Sequence, residues 1–279
     1  MDAQAIYAVG GSAAPGPFGI ARVERSTGQV VRQVTLPNLP TTVALGPAGT
    51  LWLTTSGDAF SAYALLQLDR RTLAVRRTVQ LPVDPPQVVA VSGQTLWAGA
   101  ESTLYQLNAV DGRVLGRLHL GRPIFGLTVD PSGQVLYARV ADELRGAVIA
   151  LDARTGRQLA RRGLDDPSVA PVGAALWAAS GSGDGPSDIY RLDRRTLAER
   201  EPGDIGQLHD RGLHVWPGGN ELWVTNARRA MLSCVDPADG TVLGVRRLST
   251  GTLVADPEAL YAVTGEGLVQ VAPSSVCRR

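Results

Sequence analysis

Four runs in the middle of the chain decide its fold: Val88-Val89-Ala90-Val91, Thr95-Leu96-Trp97-Ala98-Gly99-Ala100, Thr103-Leu104-Tyr105-Gln106-Leu107-Asn108 and Val114-Leu115-Gly116-Arg117-Leu118-His119-Leu120. Each is short, apolar or alternating, and rich in β-branched or aromatic residues, and Gly, Ser and Asp-Gly stand between them. They read as four antiparallel strands: A over Gln87–Ser92, B over Thr95–Ala100, C over Thr103–Asn108 and D over Arg113–Leu120.

The same layout recurs along the chain. An aliphatic residue followed by Trp or Tyr appears as Ile6-Tyr7, Leu51-Trp52, Leu96-Trp97, Leu136-Tyr137, Leu176-Trp177, Leu222-Trp223 and Leu260-Tyr261. The aromatic positions are 45, 45, 40, 40, 46 and 38 residues apart, and four of the five tryptophans fall in this column, so a structural repeat explains them better than chance. A second column places an acid or amide 11 to 17 residues further on, as in Glu24, Asp69, Asn108, Asp152, Asp193 and Asp236, with Ala272 as a degenerate member. Thr27-Gly28, Asp111-Gly112, Thr155-Gly156 and Asp239-Gly240 then supply hairpin chemistry: a side chain that bonds backbone amides two residues on, and a glycine for positive φ. Leu73 and Leu197 occupy the glycine position in the second and fifth units, so those two turns are expected to differ.

Four short strands per unit of about 40 residues, repeated seven times, specify an all-β chain: a seven-bladed β-propeller of four-stranded antiparallel blades. A lone blade cannot bury both faces, whereas neighbours packed side by side can. The units run over 1–39, 40–84, 85–121, 122–164, 165–210, 211–248 and 249–279, read as one domain. The first begins at strand B and the last stops after strand C, which leaves two alternatives: three-stranded terminal blades, or upstream residues removed. With 32 Gly, 18 Pro and no sustained helical period, long helices are not expected.

The stretches Val89–Ala98 and Leu222-Trp223-Val224-Thr225-Asn226 resemble bacterial YVTN-type repeats, and Leu151–Leu159 resembles the blade turn of the PQQ-like repeats. The resemblance spans the chain and implies the propeller fold, a bacterial source and an extracytoplasmic location, with a cytoplasmic one as the alternative. The quinoprotein dehydrogenases of the second group usually carry a docking Trp after the Thr-Gly and a vicinal cysteine pair. Here Leu159 stands at the Trp position and the cysteines lie 43 residues apart, so no cofactor is expected.

Composition narrows function further. All 27 basic residues are Arg, so lysine-dependent covalent catalysis is excluded. A net charge of +1 leaves no electrostatic footprint for nucleic acid, and no apolar run is long enough for a transmembrane helix. Cys234 and Cys277 are too few for a disulfide framework. Either they pair once in an oxidising compartment or they stand as unpaired small side chains. Ala3-Gln4-Ala5 is the small-x-small pattern that precedes a secretory cleavage site.

By analogy with other propellers, the B–C and D–A loops form the ligand face, and function resides in loops that vary on a constant scaffold. The B–C loops carry Asp142 and Arg145 in the fourth unit and Arg228 in the sixth. The longest irregular insertion, Glu201–Gly212, brings His209, Asp210 and, just beyond it, His214. These six residues are the candidate ligand-binding set. No Gly-x-Ser-x-Gly elbow and no standard metal-ligand spacing is present, so the expected activity is non-enzymatic binding of a protein or small molecule by a monomer. The alternative is a metal-dependent hydrolase or lyase, lactonase-like, with its site at the central channel.

Overall fold

The structure, a computed structural model, describes residues 5–10, 18–56, 64–82, 86–142, 145–181, 187–200, 212–226, 229–247, 253–255, 260–264, 267–271 and 276–277. Its strands form seven antiparallel sheets among the described residues. Blade one holds β1 (Ala5–Gly10), β2 (Phe18–Glu24) and β3 (Val30–Leu36); blade two holds β4 (Leu39–Leu45), β5 (Thr50–Ser56), β6 (Ala64–Asp69) and β7 (Val75–Val79). Blade three holds β8 (Val88–Ser92), β9 (Thr95–Ala100), β10 (Thr103–Asn108) and β11 (Val114–His119); blade four holds β12 (Ile124–Val129), β13 (Val135–Ala141), β14 (Gly146–Asp152) and β15 (Gln158–Gly163). Blade five holds β16 (Ser168–Val172), β17 (Ala175–Ser180), β18 (Asp188–Asp193) and β19 (Glu199–Arg200); blade six holds β20 (Leu213–Gly218), β21 (Glu221–Asn226), β22 (Met231–Val235) and β23 (Val242–Arg247). Blade seven holds β24 (Leu253–Ala255), β25 (Leu260–Thr264) and β26 (Gly267–Val271).

Among the described residues, blades one and seven are three-stranded, the first holding strands B to D and the last strands A to C. The chain divides into two compact units, one of residues 1–129 with 153–156 and the other of 130–152 with 157–279. Within the first, β4 packs against β8 and β8 against β12; within the second, β16 packs against β20 and β20 against β24. Within each unit the A strands are therefore neighbours from blade to blade.

The two sequence columns meet across the seams between blades. Trp52, Trp97, Tyr137, Trp177 and Trp223 sit at equivalent strand B positions and are fully buried. The Trp52 indole N–H donates to the Ala109 carbonyl and that of Trp97 to the Ala153 carbonyl, both at 2.9 Å. The Tyr7 hydroxyl donates to the Arg70 carbonyl at 3.1 Å and that of Tyr137 to the Arg194 carbonyl at 2.9 Å. In all four cases the acceptor is the residue just after the acid or amide in the next blade. Beside these aromatics, Gln67 and Gln106 donate to the Val110 and Arg154 carbonyls at 2.8 and 2.7 Å. These four seams thus satisfy the polar group of their column aromatic, as close-packed interiors require, whereas the buried indole N–H groups of Trp177 and Trp223 have no hydrogen-bond partner among the described residues.

One expectation fails. The turns at Leu73 and Leu197 do not differ from the glycine turns. Leu73 has φ 59° and Leu197 φ 54°, the same left-handed region as Gly28, Gly112, Gly156 and Gly240. Their backbone N–H groups donate to the Asp69 and Asp193 carbonyls just as those of Gly112 and Gly240 do to Asn108 and Asp236. A Cβ on Gly112 would lie 2.9 Å from Trp52, and one on Gly156 would lie 2.8 Å from Trp97. Where the preceding aromatic is tyrosine instead, Leu73 shares a core with Tyr7 and Leu197 with Tyr137, both leucines buried. At these four seams the turn residue exchanges size with the aromatic it covers: glycine under Trp52 and Trp97, leucine under Tyr7 and Tyr137. A left-handed leucine costs about 1–2 kcal/mol, and burying its side chain returns more. Leu73→Gly is accordingly expected to lower stability by about 2 kcal/mol despite relieving the backbone, read as a lower denaturation midpoint; a raised midpoint would refute the exchange.

Candidate functional site

The B–C and D–A connections lie at one end of the blades, and the second unit shows how they are built. In blade four, β13 and β14 are joined by a turn in which the Asp142 N–H donates to the Arg145 carbonyl at 3.1 Å and the Arg145 N–H donates to Asp142 Oδ1 at 2.9 Å. Both side chains are exposed, so this candidate pair comes together as one charged corner. The D–A connection Leu164–Pro167 lies against it. Leu164 N–H donates to the Gly146 carbonyl at 3.2 Å, and a Cβ on Gly146 would come within 2.4 Å of the Leu164 carbonyl oxygen. Only glycine permits that approach.

The same connection is tied to blade five. The Asp165 carbonyl accepts from the Gly181 N–H and the Ser180 hydroxyl, both at 3.0 Å. Arg139 donates from Nη1 to the Pro167 carbonyl at 3.0 Å. Burial draws the Arg139 guanidinium below its usual pKa, and the Asp166 carboxylate opposes that shift. Asp166 has φ 40°, and its side chain and that of Asp165 are both exposed. Asp188, also exposed, accepts from the Tyr190 hydroxyl at 3.4 Å, and burial is the main influence raising the pKa of that phenol. The rim of blades four and five is therefore a set of exposed charges, Asp142, Arg145, Asp165, Asp166 and Asp188, on a backbone held by hydrogen bonds.

His214 lies on β20 of blade six with its side chain exposed. Its backbone carbonyl accepts from the Thr225 hydroxyl at 3.4 Å, and that hydroxyl accepts the Trp216 indole N–H at 3.0 Å. Two buried serines fix the neighbouring backbone: Ser187 accepts the Leu213 N–H at 3.3 Å and Ser168 the Val215 N–H at 2.9 Å. The Asn226 side chain accepts the Arg229 N–H at 3.0 Å. His209, Asp210 and Arg228 lie outside the described residues.

The residues that the sequence does not single out are Asp165, Asp166, Arg139 and Ser168, while Ser187 reads only as the end of a Gly-rich B–C hairpin. Asp165-Asp166-Pro167 is an acidic pair fixed by a following proline, and that was the available signal; Arg139 and the two serines read as ordinary strand and loop residues until blade packing places them. In the first unit, Ser102 Oγ lies 3.2 Å from His119 Nδ1 at an exposed turn. No carboxylate orients that histidine among the described residues, so the pair lacks the third member of a nucleophile–base–orienter arrangement.

At the opposite end of the blades the C–D turns close on their own acids. Asp69 accepts from the backbone N–H of Thr72 at 2.7 Å and of Arg71 at 2.9 Å, and pairs with Arg76. Asp193 accepts likewise from Thr196 and Arg195 and pairs with Arg200 at 2.5 Å. These bonds, the Thr72 and Thr196 amides foremost, hold both carboxyls well below the usual carboxylate range. The turns are self-satisfied and exposed, as hairpin chemistry predicts. Cys234 and Cys277 are joined in a disulfide near this end, with Glu221 beside them.

No protein-family model and no curated protein matches the chain. Solved structures match most of its length. BamB from Moraxella catarrhalis aligns with a TM-score of 0.57 at 18% identity, over 96% of each chain. Kuenenia stuttgartiensis hydrazine synthase gives 0.69 at 11% identity, over 91% of this chain and 89% of that one. The β-propeller domain of Myceliophteria thermophila Cps50 (Swd1) gives 0.64 at 11% identity, over 95% of this chain and 94% of that one. The chain is a β-propeller. At such identities the likeness concerns the propeller fold alone, and the chemistry of this propeller has to be argued from its own loops. No helix of its described residues is long and apolar enough to cross a membrane.

Proposed function

We propose that residues 1–279 form one seven-bladed, monomeric propeller domain that binds a protein or small-molecule ligand, without catalysis, at the B–C and D–A end of its blades. The carrying observation is the rim of blades four and five, where exposed charges of both signs stand on connections locked by Gly146, Ser180 and the Pro167 carbonyl. Charged groups on a rigid support lose little freedom on binding and so give specificity. Asp142, Arg145 and His214 belong to this face, and the reading extends it to His209, Asp210 and Arg228 on neighbouring loops. An extracytoplasmic bacterial setting accords with the Cys234–Cys277 disulfide, since such bonds persist in oxidising compartments.

The test compares two faces. Arg145→Glu combined with Asp165→Arg inverts two exposed charges on the proposed face, and Arg71→Glu combined with Arg195→Glu does so at the C–D turns. Each is used in quantitative cross-linking in the native host, with melting temperature as the folding control. Loss of a cross-linked species by the first pair alone is the expected result. Loss by the second pair alone, or by neither, rejects the face.

A further inference from the structure

We propose that Glu221, Cys234 and Cys277 form a redox-gated site for a borderline-soft divalent cation such as Zn²⁺, so that the C-terminal segment is fastened to blade six by a disulfide when oxidised and by a metal ion when reduced. The site lies away from the ligand face and does not rest on it. In blade six, Cys234 pairs with Trp223 on one side and Gly244 on the other. Gln67 and Gln106 hold the position of Cys234 in blades two and three. The chain beyond β26 returns here: a Cβ on Gly244 would stand 1.8 Å from the Val276 carbonyl oxygen, so this backbone lies directly on β23. Val276 and Cys277 are buried with Trp223, Leu232 and Cys234 in one core.

Glu221 opens β21 beside this core and is 8% exposed. Its carboxylate and the two sulfurs all lie within 4.8 Å of one another. In a tetrahedral zinc site the metal–sulfur distance is about 2.3 Å and the metal–carboxylate distance about 2.0–2.2 Å, which sets neighbouring ligand atoms roughly 3.4–3.8 Å apart. Two thiolates and one carboxylate suit zinc over the harder cations, and a solvent molecule completes the four ligands.

The chemistry balances with a small dithiol as reductant. The dithiol gives two electrons and two protons to the Cys234–Cys277 bond, which breaks to two thiols, and the reductant closes to its own disulfide. The cation then displaces both thiol protons to solvent as two sulfur–metal bonds form. With the Glu221 carboxylate, three negative charges face two positive ones. In the oxidised protein the sulfurs are bonded to each other, and Glu221 alone does not retain the ion.

The test uses the whole chain with Co²⁺ as the probe. After dithiol reduction and anaerobic removal of the reductant, the protein is expected to bind one equivalent of Co²⁺ with a thiolate-to-cobalt charge-transfer band, and Zn²⁺ should displace it. The oxidised protein should bind none. Glu221→Gln should form the disulfide normally yet bind Co²⁺ at least about tenfold more weakly when reduced. Cys277→Ser should lose the charge-transfer band. The proposal is overturned if reduced protein binds no Co²⁺, if Glu221→Gln binds as tightly as the parent, or if reduction abolishes near-ultraviolet circular dichroism and Co²⁺ fails to restore it.

Discussion

Trp97→Ala should destabilise the protein by about 3–5 kcal/mol, the cost of emptying a fully buried large aromatic site. The loss has two parts. The void at the seam between blades three and four exposes the surroundings of Gly156 and Leu118, and the Ala153 carbonyl loses the indole N–H that it accepts at 2.9 Å. The size exchange at the turns sharpens the prediction. Gly156→Leu alone forces a side chain into Trp97 at a position with φ 73° and should destabilise. Joined with Trp97→Tyr, it recreates the pairing of Tyr7 with Leu73 and of Tyr137 with Leu197, and part of the loss should return as a coupling energy of about 1–3 kcal/mol. Chemical denaturation of the four proteins measures the cycle. Strict additivity would remove the claim that turn and aromatic are matched.

Replacing both cysteines, Cys234→Ser with Cys277→Ser, should cost about 4 kcal/mol, the loop-closure entropy for a crosslink spanning 43 residues. The effect should concentrate in blades six and seven, because the bond ties the segment after β26 to β22. Hydrogen exchange resolves this: amides of β23, β25 and β26 should lose protection, while those of β9 and β10 keep theirs. Gly244→Ala is a second route to the same state, since its methyl group cannot coexist with the Val276 carbonyl at 1.8 Å. Unchanged midpoints in both variants would show that the segment adds nothing to stability.

Fold class was legible because the signal is periodic. The aromatic column placed strand B correctly in every blade, and in blade three the expected B and C strands match β9 and β10 residue for residue. What failed was a rule applied too locally. Leucine at a positive-φ position looks like a different turn until the tyrosine beneath it is seen, and that tyrosine lies 66 residues earlier for Leu73 and 60 earlier for Leu197. The cysteine pairing was open for the same reason: nothing within either neighbourhood says that the segment after β26 folds back over Gly244. At the candidate site, Asp142 and Arg145 were readable because one turn holds both. Asp165 and Asp166 became visible only once the D–A connection was seen lying on Gly146.

The seam contacts also bear on how such a chain can be rearranged. At four of the seams the blades show two pairings, Trp52 with Gly112 and Trp97 with Gly156 against Tyr7 with Leu73 and Tyr137 with Leu197, while Trp223 packs with Val276. A copy of the third unit, which offers Gly112 and presents Trp97, would follow itself indefinitely, since glycine is what the tryptophan ahead requires. A copy of the second unit inserted after the third would set Leu73 against Trp97 and block that seam. Duplication, grafting or circular permutation of this propeller is thus constrained by succession. Units ending a tyrosine seam can be moved only together with the partner that precedes them, while the seams of Trp52 with Gly112 and Trp97 with Gly156 accept each other's units.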